Sequence, residues 1–303
     1  MKPGTQSYYA ELVQRAIDRI ATHLDEALDL HSLAAAANLS PFHFHRVFRG
    51  MTGETPAELA RRLRLERAAW QLRSTTEPVT RIAFDAGFDT HESFTRAFRS
   101  QFDTSPSGFR SRTYQRTELP TMCGVHYTGS GRISAFVARL PGAPIMDVTI
   151  TSMPELRLGT VRHIGPYNQI PVAFATLGAR LGPAAGELMR AGSRMLAIYH
   201  DDPESVPLDQ LRSDAAVSIP DGMAIPAGLV EQRLPAGRYA CATHVGPYEQ
   251  LGDAWLRLLG EWLPQSGERM ANSECYELYV NDPSTTPKAE LKTELYVPLV
   301  TTD

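Results

Sequence analysis

The sequence predicts a multidomain chain: an all-α N-terminal domain with a double helix-turn-helix, then an α+β domain built from a duplicated ββαββ unit. Three observations predict it. A helical stretch recurs at a spacing of 50 residues in the first third of the chain. A mixed strand-and-helix stretch recurs at a spacing of 81 in the second half. The charge balance changes between them. Residues 1–116 hold 16 Lys+Arg against 13 Asp+Glu, and the remainder holds 14 against 21. A mildly basic region is thus joined to an acidic one, and 303 residues suit about two domains.

The chain opens on an amphipathic helix, 8–23, with Leu12, Ala16, Ile17 and Ile20 on one face. The first helical copy follows at 33–49. Ala34 starts a short helix, Asn38 and Leu39 turn the corner, and Ser40 before Pro41 supplies an N-cap and a first-turn proline. Phe44, Val47, Phe48 and Met51 then face inward, and Phe42, His45, Arg46 and Arg49 outward. Residues 56–72, PAELARRLRLERAAWQL, form a connecting helix of strong helix formers. The second copy, 82–110, reads IAFDAGFDTHESFTRAFRSQFDTSPSGFR. Gly87 occupies its corner, where a positive φ costs glycine nothing. Asp89 is the expected N-cap, with Glu92 as its capping-box partner. Phe94, Phe98 and Phe102 share the inner face; His91, Glu92, Thr95, Arg96 and Arg99 share the outer. A polar helix face is most often only solvated. Two such faces held by one rigid helix instead suit recognition helices entering successive major grooves, about 34 Å apart.

Residues 113–145, rich in Pro, Gly, Ser and Thr, are expected to be a linker with little structure of its own. From 146 the second repeat begins: DVTITSMPELRLGTVRHIGPYNQ (147–169) matches GLVEQRLPAGRYACATHVGPYEQ (228–250). Each copy runs on into an amphipathic helix and two strands, so the copies pack about a pseudo-two-fold axis. The shared HxGPYxQ motif has residue types used in catalysis. Its presence in both copies favours architecture, because Gly-Pro turns a strand into a helix and a single asymmetric site would not need both.

Differences between the copies say more. Glu294 and Tyr296 stand where the first copy has Ala216 and Ser218, and Glu277 and Tyr279 where it has Ala197 and Tyr199. Carboxylates among tyrosines and Trp255 suit a lipophilic cation, through charge pairing and cation–π attraction. The alternative is a solvated strand face with incidental acids and Trp255 in the core. Glu294 is the leading candidate and Glu277 the second. The three cysteines, Cys123, Cys241 and Cys275, are scattered without metal-ligand spacing, which suits a reducing cytoplasm. The sequence contains no apolar run long enough to span a bilayer.

The AxxAGF corner (Ala83, Ala86, Gly87, Phe88), the SFTRAFR helix (Ser93 to Arg99) and the SPSGFR close (Ser105 to Arg110) closely resemble the second helix-turn-helix of the AraC/XylS family of transcription regulators. That resemblance covers about 7–112. Residues 146–300 resemble the GyrI-like effector-binding domain, and the combination is similar to the Rob type of regulator. The resemblance implies a DNA-binding domain at 1–112 and an effector-binding domain at 146–303. It implies double-stranded DNA and a small, cationic, aromatic effector as partners, with RNA polymerase as a further one, and neither cofactor, metal, catalytic residue nor membrane. In that family the positions of Phe42, His45, Arg46, His91, Glu92, Thr95 and Arg96 face bases or nearby phosphates, with Arg49 and Arg99 beside them. Arg46 and Arg96 suit guanine or phosphate. Two rival readings of the C-terminal domain are a small-molecule hydrolase and a protein-binding module.

Overall fold

The computed structural model describes residues 3–37, 39–112, 116–129, 131–138, 146–201 and 206–301, with backbone alone at 3–7 and 42. The helices of the N-terminal part are α1 (Pro3–Thr22), α2 (Leu30–Ala36), α3 (Pro41–Thr52), α4 (Pro56–Ser74), α5 (Val79–Asp85), α6 (His91–Phe102) and α7 (Pro106–Ser111).

Local chemistry sets these boundaries. A capping box starts α4: Thr55 Oγ1 accepts from Glu58 N at 3.1 Å, and Glu58 Oε2 accepts from Thr55 N at 2.8 Å. Between α5 and α6, Gly87 has φ +79°, and the Phe88 N–H reaches back to Ala83 O at 3.1 Å. That six-to-one bond closes a helix on a left-handed residue. The cap of α6 differs from expectation. Thr90, not Asp89, is the N-cap, with extended backbone and its Oγ1 accepting from Ser93 N at 3.1 Å. The helix starts one residue later than the sequence suggests. Glu92 is therefore at the second helical position rather than the third, and the capping box does not close on it.

Inner faces follow the periodicity. Phe94 and Phe98 are fully buried with Leu65, Leu72, Ile82 and Phe109, and Phe102 packs against that cluster. The Phe98 and Phe109 rings meet edge-on at 5.3 Å. In α3, Phe44, Val47, Phe48 and Met51 are fully buried, and Ser40 Oγ accepts from His43 N at 3.3 Å; Asn38 lies outside the described residues. The outer face of α3 departs from expectation, because His45 is buried. The first turns of α3 are enclosed beyond the phenylalanine face, so a residue 100° round from Phe44 is covered too. The described part of the expected linker, 116–129 and 131–138, is also packed, with Leu119, Cys123 and Val125 buried.

The C-terminal part is one eight-stranded antiparallel sheet with helices on one face. Its strands are β1 (Val148–Met153), β2 (Leu156–Ile164), β3 (Met195–Tyr199), β4 (Arg212–Ser218), β5 (Val230–Leu234), β6 (Gly237–Val245), β7 (Tyr276–Tyr279) and β8 (Lys292–Leu299). Their order is β1-β6-β8-β7-β3-β4-β2-β5. Each copy of the ββαββ unit thus lends its first strand to the other, β1 pairing β6 and β5 pairing β2. The copies meet at the centre through β3 and β7, where Ala197 is the register partner of Glu277. The first copy carries α8 (Pro171–Leu181) and α9 (Ala184–Arg190). The second carries α10 (Leu251–Leu256), continued by a π-helical run at Arg257–Trp262 and by α11 (Leu263–Ser266).

Alternate residues of a strand point to opposite faces, and the two faces have separate cores. Leu177 and Leu181 of α8 pack on Ala197, Ala215 and Val217. On the other face, Leu196, Ile198 and Ala216 cluster with Tyr239, Tyr276 and Tyr296.

Candidate functional site

At the centre of the helix-covered face, a cavity of about 400 Å³ opens between the first turns of α8 and α10. Aromatic groups wall it: Tyr167, Tyr199, Tyr248, Tyr279 and Trp255. At its base is Glu277, 2% exposed. The two carboxylate oxygens have different partners, Oε1 accepting from Trp255 Nε1 at 2.8 Å and Oε2 from the Tyr279 hydroxyl at 2.9 Å. The Tyr199 and Tyr279 hydroxyls, one from each copy, stand 3.5 Å apart.

Burial dominates the electrostatics. Desolvation lifts the Glu277 carboxyl above its usual range, against the opposing hydrogen bonds from Trp255 and Tyr279. Burial, and then the nearby Glu277 charge, pushes Tyr199 and Tyr279 well above an ordinary phenol. Tyr248 rises for the same two reasons. The site therefore holds a buried carboxyl among tyrosine and tryptophan rings, with Arg46 and Glu249 also in its lining and the Arg46 charge opposing the effect of burial on Glu277.

The five residues singled out in the sequence do not form one site. Glu277, Tyr279 and Trp255 share this cavity. Glu294 and Tyr296 lie on the opposite face of the sheet, because Glu277 pairs with Leu295 and Leu278 with Glu294. There they line a second cavity of about 290 Å³, with Met153, Leu156, Arg194 and Leu278. The Tyr296 hydroxyl donates to Glu294 Oε2 at 2.8 Å, and its ring stacks on Tyr276 at 4.7 Å and 9°.

Tyr167, Tyr199 and Tyr248 are the residues that sequence reasoning missed, although the repeated GPY was visible. The His and Gly of HxGPYxQ are architectural in both copies. His163 Nε2 lies 3.2 Å from Pro166 O, and His244 Nε2 3.3 Å from Pro247 O. The paired glycines have φ +136° and +143°. The tyrosines of the motif do more, since the pseudo-two-fold axis brings both copies to one cavity.

In the helical part, His91, Glu92, Arg96 and Arg99 are exposed along one side of α6, with Thr95 half-buried among them. In α3, Arg49 is exposed, Arg46 half-buried and His45 buried; the Phe42 side chain lies outside the described residues. Among the described residues no helix is long and apolar enough to cross a membrane. No group of three or more His, Cys, Asp or Glu among them is placed to hold a metal ion.

Comparison with known proteins matches residues 146–300 to the model of the GyrI-like small molecule binding domain, and residues 33–112 to that of a helix-turn-helix domain. The chain is 36% identical to the regulatory protein SoxS of Escherichia coli (strain K12) over 104 residues, 34% of this chain and 97% of the relative. It is 34% identical over 128 residues to a DNA gyrase inhibitor of Yersinia enterocolitica, covering 41% of this chain and 79% of that one. Over 88 residues it is 40% identical to the right origin-binding protein of E. coli (strain K12), covering 29% and 30%.

Proposed function

Because the chain belongs to the GyrI-like small-molecule-binding family and carries an AraC-type DNA-binding domain ahead of that module, we propose that it is a one-component transcription regulator sensing a lipophilic, aromatic cation. The observation that carries this is Glu277, a buried carboxyl at the base of an aromatic cavity. A cation there ion-pairs with Glu277 while its apolar surface covers the tyrosine rings. Contact with a desolvated ring face adds about 2 kcal/mol or more. A neutral ligand of the same shape makes no ion pair with Glu277, so charge selects as well as shape. The reading is of binding without turnover.

On the DNA side, the outer faces of α3 and α6 enter two successive major grooves of one duplex. Arg96, with His91, Glu92, Thr95 and Arg99, reads one half-site. Arg46 and Arg49 contact the other. The loss of the capping-box role for Glu92 supports its place on the reading face. RNA polymerase is the expected protein partner at the promoter, in the cytoplasm.

The test is calorimetric titration of the full chain with an aryl quaternary ammonium ion and with its neutral carbon isostere. The expected outcome is a saturable heat with the cation and at least about tenfold weaker binding of the isostere, which is about 1.4 kcal/mol. Equal binding of the two would remove charge selection from the site.

A further inference from the structure

Neither family model reaches residues 113–145, and their described part, 116–129 and 131–138, is laid along α4. Leu119 sits in the phenylalanine core of the second helix-turn-helix, with Phe94, Phe98 and Phe109. Thr121 Oγ1 donates to Glu54 Oε1 at 3.3 Å. Met122 closes on Gly53, where an added Cβ would stand 3.0 Å from its sulfur. Gly129, at φ +77°, lies against the indole of Trp70, where a Cβ would overlap the ring. The segment also folds back on itself, His126 N donating to Ser134 Oγ at 2.7 Å and Val137 N to Cys123 O at 2.8 Å. One stretch thus touches the exit of α3, the length of α4 and the core behind α6.

Its fastening is a buried charge. Glu66 of α4 is wholly buried. Its Oε1 accepts from Leu119 N at 2.8 Å, His126 Nδ1 at 3.0 Å and Arg62 Nη1 at 3.1 Å, and its Oε2 from Tyr127 N at 2.9 Å. Arg62 also donates to Val125 O at 2.8 Å and holds Glu54 through two nitrogens at 2.9 and 2.6 Å. A buried carboxylate is costly unless paired and hydrogen-bonded. Three of the four donors to Glu66, Leu119, His126 and Tyr127, come from this segment, so the buried acid and the segment hold each other in place. A spacer between domains needs no such fastening.

We propose that residues 116–129 and 131–138 are a brace of the DNA-binding domain, that Glu66 is its positioning residue, and that together they fix the separation at which α3 and α6 meet DNA. This rests on the two-groove reading given above. Its consequence is spacing specificity. One base pair added between half-sites moves one of them by about 3.4 Å and a tenth of a turn. Helices locked to one frame reject that site, and helices on a loosened frame accept it.

The experiment uses the full chain and an operator selected by it from a random duplex pool, with versions carrying one base pair more or less between the half-sites. The wild type should protect two grooves and prefer the selected spacing by about tenfold or more. Glu66→Gln keeps the size of the side chain and removes the charge. It should raise hydrogen exchange at the amides of 116–129 and 131–138 and cut the spacing preference to below about threefold. Should Glu66→Gln fail to fold, His126→Ala removes one donor and is read the same way. Raised exchange with the spacing preference retained would overturn the brace. Unchanged exchange would overturn Glu66 as its fastening. A one-groove footprint by the wild type would instead end the two-groove reading, and the proposal with it.

Discussion

In the sheet domain the two repeats converge on one cavity, whereas in the helical domain α4 connects two repeats that each carry their own recognition helix. The contrast changes what a repeated residue signifies. Near the pseudo-two-fold axis, Tyr199 and Tyr279 are the same position in two copies, and both line the cavity. Tyr167 and Tyr248 do likewise. Repetition there builds the tyrosine walls, and the buried carboxyl, Glu277 opposite Ala197, is not repeated. In the helical repeat, Arg46 and Arg96 occupy matching positions, and we propose that each serves a different half-site.

Restoring symmetry is the strongest way to break this comparison. Ala197→Glu would set a second carboxyl beside Glu277, across the β3–β7 pair and fully buried. An unpaired buried charge costs about 3–5 kcal/mol, and two acids so close cannot both ionise. The thermal midpoint of the domain should fall by many degrees, and cation binding should be lost. A variant of near wild-type midpoint would show that the two positions do not share one environment.

The helical repeat predicts a smaller and separable loss. Arg46→Ala and Arg96→Ala should each reduce specific DNA binding by about 1–3 kcal/mol, with reduced protection of different half-sites in a footprint. Equal loss at both half-sites from either variant would mean that the repeats do not read separately. Binding should also weaken steeply as salt rises, since arginine–phosphate contacts release counterions.

Glu277→Gln follows. It should weaken binding of an aryl quaternary ammonium ion by at least about tenfold and leave DNA binding by the free protein unchanged. The pH dependence has a definite sign. Burial holds the carboxyl above its ordinary 4.5 in the folded state. Cation affinity is therefore full above that raised value and falls as pH drops through it, and Glu277→Gln abolishes the dependence. Stability of the ligand-free domain runs the other way. The folded state holds this proton more tightly than the unfolded one. Its contribution is full below the unfolded value and is lost as pH rises through the folded value. Glu277→Gln should accordingly raise the thermal midpoint at neutral pH, and scans at several pH values check it.

What was legible in the sequence follows from periodicity. Both repeats, the inner faces of α3 and α6 and the glycine corner are patterns of spacing, and burial enforces spacing. Asp89 and Thr90 were not separable, because both can cap and the choice depends on where the helix begins. Thr90→Ala should cost about 1 kcal/mol of stability and Asp89→Ala much less, by thermal melts. Strand alternation showed that Glu294 and Tyr296 share a face, as do Glu277 and Tyr279. It could not show that these are different faces, because that depends on the register between β7 and β8, and a shift of one residue exchanges the faces. The brace left no periodic signal at all. Glu66 reads as one more charge in an arginine-rich helix, and three of its four donors lie more than fifty residues away.

The smallest expected effect is that of Glu294→Gln, and it sharpens the comparison of the two sheet faces. Glu294 is partly exposed on the far side of the sheet, where solvent screens its charge. Its hydrogen bond from Tyr296 survives the substitution, because the glutamine carbonyl can accept it. The Tyr296 ring is already committed to its stack on Tyr276 and is not a free wall for a ligand. A cation in the Glu277 cavity should therefore lose less than about threefold in affinity on Glu294→Gln, which is about 0.6 kcal/mol. Titration of both single variants and of the double variant separates the faces. If Glu294→Gln costs tenfold while Glu277→Gln costs nothing, the cation occupies the 290 Å³ cavity instead. In that case the break in symmetry that matters is the one between Glu294 and Ala216, on β8 and β4, and the tyrosines around Glu277 are packing alone.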